Sequence, residues 1–254
     1  MNEEKAIVEE NLSIGNNYFL MKIRTDNIAS EAKPGNFIMV GVNSLTEPLL
    51  KRPFGIFSVK DNSLFLYYEV VGKGSKILSE KRKGDSIDIV GPLGNGFPEL
   101  KDKRLLMIAG GRGIAPVYFG IEKYSIDNDV SLIYGAASKN DLNLIDRIDE
   151  LNLKNKYFYT DDGSYAKKGF VTSDIRDIIS ENDIETTLSC GPEKMFESLN
   201  IALKDVKTEN YVSMEAYMGC GIGVCHSCVV ETVKDGYKKV CSDGPVFKLG
   251  DIKW

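Results

Sequence analysis

Four of the five cysteines in this 254-residue chain crowd into its last 35 residues, in the run MGCGIGVCHSCVVETVKDGYKKVCSDGPVF. Cys220, Cys225 and Cys228 share one glycine-rich loop with the spacing C-x4-C-x2-C, and Cys241 follows after twelve residues. The opening MNEEKAIVEE lacks the basic-then-apolar order of a secretory leader, so a cytoplasmic protein is expected. In that setting clustered thiols point to a metal rather than to disulfides. The spacing is that of plant-type [2Fe–2S] centres. Two irons bridged by sulfides need two thiolates each; a short loop supplies three, and a later return of the chain brings the fourth. Gly219, Gly221 and Gly223 allow left-handed turns and bring backbone N–H groups toward the sulfurs, where they stabilise the more negative reduced centre. A structural zinc site with four cysteine ligands is the alternative, although such sites usually show two C-x2-4-C pairs. His226, inside the two-residue gap, reads as a bystander pointing away from the irons, because Rieske-type ligation needs two histidines.

Composition narrows the rest. One histidine in the whole chain argues against His-based triads, acid–base catalysis and zinc chemistry. Lys plus Arg number 32 against 37 Asp plus Glu, a net charge of −5, which speaks against nucleic acid as a partner. No apolar stretch approaches the roughly 20 residues of a membrane span, so no membrane partner is expected. At 43% hydrophobic and 27% charged residues, the chain has the composition of a folded globular protein.

The hydrophobic pattern predicts a multi-domain α+β chain. Over residues 1–98, short alternating runs (KAIVEENLSI, YFLMKIRT, NFIMVGV, FGIFSV, LFLYYEVV, DSIDIVG) are separated by turn signals at Asn27–Ser30, Pro34-Gly35, Asp61–Ser63 and Lys83–Asp85. That spacing predicts an antiparallel β-barrel or sandwich, with GSKILSEKRKG its one helix. From residue 99 to 209 strands alternate with helices: RLLMIAG, a helix through PVYFGIEKY, VSLIYGA, helical LNLIDRIDELN, KYFYTDD, VTSDIRDIIS, TTLSCGP and EKMFESLNIAL. Such alternation predicts a parallel α/β sheet. Residues 210–254 read as a cysteine-rich segment without regular order.

Two further stretches offer phosphate-binding chemistry. In RLLMIAGGRGIAP, Gly110, Gly111, Gly113 and Pro116 follow a strand and open a helix, a G-x-G-x-x-P pattern whose helix N-terminus favours a pyrophosphate. Any tight strand-to-helix turn can use glycines in the same way. Cys190, Gly191 and Pro192 end a late strand, where open α/β sheets bind ligands; Cys190 is either a nicotinamide neighbour or a buried structural thiol. YGAASKNDL, after the second strand, holds no arginine to meet a 2′-phosphate, which favours NAD over NADP, with Lys139 the nearest cation. In the first half, KRPFGIFS places an arginine on a strand and Gly72–Ser75 opens a helix. A hairpin arginine and a helix cap explain these as well as a phosphate cradle does.

Taken together, RPFGIFS, VVGKGSKIL, GPLGNGF, IAGGRGIAP, TDDGSYAKKGFVT, SCGP and CGIGVCHSCVVE…VCSDGPVF resemble the electron-transfer subunits of the NAD-dependent (class 1B) dihydroorotate dehydrogenases, within the ferredoxin–NADP reductase superfamily. The resemblance covers essentially the full length. It implies an FAD-binding domain over 1–98, an NAD-binding domain over 99–209 and a [2Fe–2S] segment over 210–254. It further implies FAD on Arg52, Pro53 and Phe54, Tyr68, Glu69 and Val70 beside the flavin or adenine, and Gly74 and Ser75 on the pyrophosphate. The family commonly reads Arg-Pro-x-Ser, and here Gly55 holds the serine position, leaving Ser58 or a backbone N–H to replace the hydroxyl. GGRGIAP and SCGP fall to the nicotinamide nucleotide, and Cys220, Cys225, Cys228 and Cys241 to the cluster.

No residue is expected to act as a catalytic acid or base, because hydride exchange between nicotinamide and flavin needs none. The resemblance implies an FMN-containing catalytic subunit that oxidises dihydroorotate in pyrimidine (UMP) biosynthesis, two of each subunit forming a heterotetramer. Electrons would run from FMN through the cluster and FAD to NAD⁺. The alternatives are a related reductase subunit serving ferredoxin, sulfide or hydrogenase chemistry and, from another class, a non-catalytic zinc adaptor.

Overall fold

The computed structural model describes residues 1–43 and 47–254. Its first half is built on one long strand. β1 (Asn2–Gly15) buries alternate residues, as a half-solvated strand does. Its first half pairs with β7 (Ser86–Leu93), and its second half pairs with β2 (Tyr18–Arg24) around a turn in which Gly15, Asn16 and Asn17 all take positive φ. With β3 (Phe37–Gly41), β4 (Arg52–Gly55), β5 (Ser58–Lys60) and β6 (Ser63–Glu69), the antiparallel order is β4–β3–β7–β1–β2–β6–β5. FGIFSV is therefore two strands on opposite edges of the sheet. Between them Ile56 donates its N–H to Asn36 O, and Phe57 donates to Phe65 O. The sheet curls into an open half-barrel whose edges this crossing brings together.

The half-barrel carries two helices rather than one. Asn27–Ser30, expected as a turn, enters helix α1 (Ile28–Glu31), because Glu4 on β1 accepts the N–H groups of Asp26, Asn27 and Ile28 at 2.8, 2.8 and 3.2 Å. A cap supplied from a distant strand leaves no mark in the local sequence. Helix α2 (Lys73–Ser79) ends before the charged EKRKG, which turns into β7.

The second sheet contains β8 (Arg104–Gly110), β9 (Asp129–Ala136), β10 (Asn155–Thr160), β11 (Lys167–Lys168), β12 (Thr186–Cys190) and β13 (Glu209–Ser213), parallel throughout in the order β11–β10–β9–β8–β12–β13. Helices α3 (Ile114–Tyr124), α5 (Ile175–Glu181) and α6 (Glu193–Leu203) follow the sequence pattern, whereas the helical stretch at LNLIDRIDELN shrinks to α4 (Ile145–Asp149). The strand order reverses between β8 and β12, the place where open α/β sheets hold ligands. The cysteine-rich segment is more ordered than its composition suggests. β14 (Val229–Glu231) and β15 (Tyr237–Lys239) form a hairpin, and β16 (Val246–Lys248) joins the second sheet antiparallel to β13.

The parts share cores. Phe57 of the half-barrel stacks on Tyr118 of α3 at 4.2 Å between ring centroids, in a cluster running from Tyr18 and Tyr67 to Leu105 and Ile114. A second cluster joins Phe37, Met39 and Leu93 to Ile108 and to Cys228, Val240 and Cys241. Among the described residues, no helix is long and apolar enough to cross a membrane.

Candidate functional site

The loop that carries three of the cysteines is held against the half-barrel. Gly221, at φ +73, lies so close to Met39 that a Cβ would stand 2.5 Å from its Cγ. Asn95 receives the returning chain. Its N–H donates to Gly244 O at 2.6 Å, and its side-chain amide donates to Ser242 O and Asp243 O. Within the loop, N–H groups point at sulfur: Gly223 donates to Cys241 Sγ at 3.1 Å, Cys220 to Cys225 Sγ at 3.4 Å, and Ile222 and Cys225 to Cys220 Sγ at 3.4 Å. The glycine-rich backbone thus does what its composition predicts.

The four thiols fall into two pairs. Cys220 and Cys225 form an outer pair on the surface, while Cys228 and Cys241, each 2% exposed, form an inner one. Hydrogen bonds from Ser227 and from the Cys220 N–H push the Cys225 thiol down to about 6. Burial, and then the neighbouring Cys228 thiol, push Cys241 up to about 11. Among the described residues, no three Cys, His, Asp or Glu side chains converge on a point that could hold one ion. Two pairs suit two irons with two thiolates each. His226 takes a left-handed φ of +58 and is exposed.

At the switch between β8 and β12, backbone meets backbone. A Cβ on Gly113 would stand 2.1 Å from Cys190 O and 2.7 Å from Gly191 N; one on Gly110 would meet Met195 Sδ at 2.8 Å and Pro192 Cδ at 3.0 Å. These glycines let the two turns form one floor beneath a cleft of about 670 Å³. The cleft is lined by Gly110, Gly111, Gly113, Gly191 and Pro192, with Ala136 and Asp161 toward one end and Tyr18 and Glu69 toward the other. Cys190 itself is 1% exposed, and burial holds its thiol well above the ordinary range. Lys139 is held by Tyr165 and Ser164, its ammonium 5.9 Å from the ring centroid and its N–H on the serine hydroxyl at 2.8 Å.

The barrel-side residues gather around β4 and the start of α2. The Arg52 guanidinium lies across Gly74, where a Cβ would stand 2.7 Å from Nε, and it donates to Leu50 O. An arginine lying over the first turn of a helix is a cradle that fits a phosphate group. Ser75 accepts the N–H groups of Val71 and Gly72 and donates to Gly72 O, so its hydroxyl serves the turn. Tyr68 is buried in the barrel, its ring stacked on Phe19 and in a T-shaped contact with Phe54, and its hydroxyl donates to Asn11 Oδ1. Pro53 and Phe54 are half-buried on β4 and Val70 follows β6, donating its N–H to Asn17 O.

Ser58 corrects an expectation. It is 3% exposed and donates to Glu122 Oε2 of α3 at 2.6 Å, so it is not free to stand in for the serine missing at Gly55. Glu122 is drawn out of water there, and burial raises its pKa. Gly55 instead meets Pro116, whose Cδ would lie 3.4 Å from an added Cβ. The barrel-side and sheet-side residues therefore converge, at Gly55 with Pro116 and at Glu69 with Arg112, paired at 3.0 Å.

Two of the charged residues at this junction escaped the sequence reading. Arg112 lies inside a motif read only for its glycines. Glu215 follows β13, is exposed and lines the cleft; the protein atoms around its carboxyl raise its pKa by desolvation, against the pull of Arg112. The usable signal for Glu215 was its position just past a parallel strand.

Comparison with known proteins agrees with this geometry. Residues 215–253 match the model of the iron–sulfur cluster binding domain of dihydroorotate dehydrogenase B, and residues 107–200 match the oxidoreductase NAD-binding domain. The electron transfer subunit of dihydroorotate dehydrogenase B (NAD(+)) from Fusobacterium nucleatum subsp. nucleatum is 33% identical over 262 residues, covering 100% of this chain and 99% of that one. The chain belongs to that family of electron-transfer subunits. The relative from a Geobacillus species is 36% identical, with 99% of each chain covered. A solved NADH-dependent reduced ferredoxin–NADP oxidoreductase, described for flavin-based electron bifurcation, superposes with a TM-score of 0.86 at 25% identity, covering 99% of this chain and 90% of that one. A ferredoxin NADP⁺ reductase from Neisseria gonorrhoeae with bound FAD and NADP shares the fold, with a TM-score of 0.67 at 18% identity and coverage of 89% and 95%. The chain is thus an oxidoreductase subunit with an iron–sulfur segment and an NAD-binding domain.

Proposed function

We propose that the chain carries electrons from a catalytic subunit that oxidises dihydroorotate to NAD⁺, in pyrimidine (UMP) biosynthesis in the cytoplasm. The catalytic subunit bears FMN, and two copies of each subunit assemble. One observation carries the reading: the cysteine loop and the helix of the dinucleotide turn each pack on the half-barrel that carries the β4–α2 cradle, at Gly221 on Met39 and at Pro116 on Gly55. When bound, FAD interconverts a hydride with two single electrons, and the [2Fe–2S] centre handles them singly.

The chain's own residues hold and orient these groups. Arg52 and the Gly74–Ser75 turn would hold the FAD phosphates, with Phe54 and Glu69 alongside. Gly110, Gly111, Gly113, Gly191 and Pro192 form the floor for NAD(H), with the Cys190 thiol buried beneath. Cys220, Cys225, Cys228 and Cys241 would hold the cluster, and the loop N–H groups would stabilise negative charge on sulfur. No step needs a proton from a side chain, in keeping with a site whose floor is built from glycines and a proline. Residues 1–98, 99–209 and 210–254 divide these roles, the third segment lending β16 to the second sheet.

The test is Cys225→Ser in the assembled complex. We expect dihydroorotate-dependent NAD⁺ reduction to be lost while NADH still bleaches the flavin absorbance. A stable, flavin-loaded variant that reduces NAD⁺ at the native rate would end the proposal.

A further inference from the structure

The cleft beneath β8 and β12 is electrostatically wrong for a dinucleotide as it stands. Four carboxylates line it, from Glu69, Asp141, Asp161 and Glu215, against two cations, Arg112 and Lys194. A pyrophosphate brings two more negative charges into a partly shielded space, where like charges repel more strongly than in open water. Arg112 occupies the middle of the Gly111–Gly113 turn that opens α3, so its backbone already lies where a phosphate is expected. Its side chain, however, reaches across to the other half of the molecule. Nη1 stands 3.0 Å from Oε2 of Glu69, the last residue of β6. Its charge also acts on Glu215 and on Tyr18, both at the cleft wall.

Resting on the reading of this cleft as the NAD(H) site, we propose that Arg112 is the clamp for the dinucleotide's pyrophosphate and that Glu69 is its resting partner. The two pairings differ in strength. The Arg112–Glu69 contact is a single bond between side chains that are both partly open to water, with relative exposures of 47% and 30%, and such pairs contribute little. A guanidinium against a phosphate makes two parallel charge-assisted bonds. Exchange of the carboxylate for the phosphate is therefore favourable, and it supplies the positive charge the cleft lacks. The exchange also releases the Glu69 carboxylate on the barrel side, beside Val70 and the β4 strand. Glu69 acts through Arg112 and is a positioning residue; Arg112 touches the ligand.

The experiment measures binding rather than turnover. The flavin- and cluster-loaded protein is titrated calorimetrically with ADP-ribose, which carries the pyrophosphate but no reducible ring. Arg112→Gln should weaken binding about tenfold or more, and Arg112→Lys, which keeps the charge but loses the fork, by less. Glu69→Gln should tighten binding roughly two- to threefold, because it frees the guanidinium from a weak pair. In an Arg112→Gln background the same Glu69 change should have no effect, since nothing is left to release. An unchanged melting temperature and far-UV circular dichroism in every variant would exclude a folding defect. The proposal fails if Arg112→Gln binds ADP-ribose within about twofold of the wild type, or if Glu69→Gln weakens binding. A wild-type protein that bound neither ADP-ribose nor NAD⁺ would instead remove the NAD(H) reading itself.

Discussion

The molecule has two turns suited to phosphate, one in each half, and they are prepared differently. At the start of α2, Arg52 is already folded over Gly74 and tied to Leu50 O of its own half. At the start of α3, the glycine floor is equally fixed, with Gly113 against Cys190 O, but the arginine is drawn away to a carboxylate of the opposite half. A preset cradle loses little ordering entropy on binding and so suits a group that stays. A cradle whose cation must first exchange partners suits a group that arrives and leaves. The contrast matches a resident FAD and a visiting NAD(H), and it is open to disruption from either side.

The largest effect is expected at the floor of the second turn. In Gly113→Ala the new Cβ would stand 2.1 Å from Cys190 O and 2.4 Å from its carbonyl carbon, both backbone atoms that cannot rotate aside. Overpacking of this kind should cost about 3 kcal/mol, a fall in melting temperature of roughly 6–12 °C for a chain of this size, with NAD⁺ binding lost. Calorimetric melting of the loaded protein checks it. A loss of NAD⁺ binding with no thermal effect would mean that the floor yields more easily than the fixed half of the comparison requires.

Arg52→Ala comes next and addresses the preset cradle. The arginine is half-buried and its neighbours are mostly its own strand and turn, so the fold should survive. FAD retention through gel filtration should fall about tenfold or more, as loss of a charge-assisted phosphate contact implies, while ADP-ribose affinity stays unchanged. If both ligands weakened together, the two turns would not be independent.

How much of this arrangement could be read in advance depends on the range of the forces involved. RLLMIAG and EKMFESLNIAL were legible because burial on both faces or on one helical stripe writes itself into consecutive residues; their limits match β8 and α6. The cysteine loop was legible because ligand spacing is local. Helix α1 was hidden because its cap is Glu4, more than twenty residues away. FGIFSV looked like one strand because alternation does not record which edge each half pairs with. Ser58 is one of two candidates, with a backbone N–H, to replace the hydroxyl missing at Gly55, and its partner, Glu122, lies 64 residues on, beyond the reach of a local pattern. Arg112 was passed over because a glycine motif draws the eye to backbone, and what its side chain reaches is set by how the two halves pack.

The smallest effect is expected where the halves touch most lightly. A Cβ at Gly55 would lie 3.4 Å from Pro116 Cδ and 3.9 Å from its Cβ and Cγ, ordinary contact distances at a position with no positive φ. Gly55→Ser should therefore leave the melting temperature within about 2 °C, the usual range for a substitution that disturbs no packing. Its hydroxyl would stand at the junction with Pro116 and should improve FAD retention by no more than a neutral hydrogen bond gives, about two- to fivefold. ADP-ribose affinity should not move, because neither Arg112 nor the Gly113 floor is touched. A Gly55→Ser protein that retained FAD as before but bound ADP-ribose more weakly would show that the Gly55–Pro116 contact transmits strain into α3. The two cradles would then be coupled through their glycines, and not only through Arg112 and Glu69.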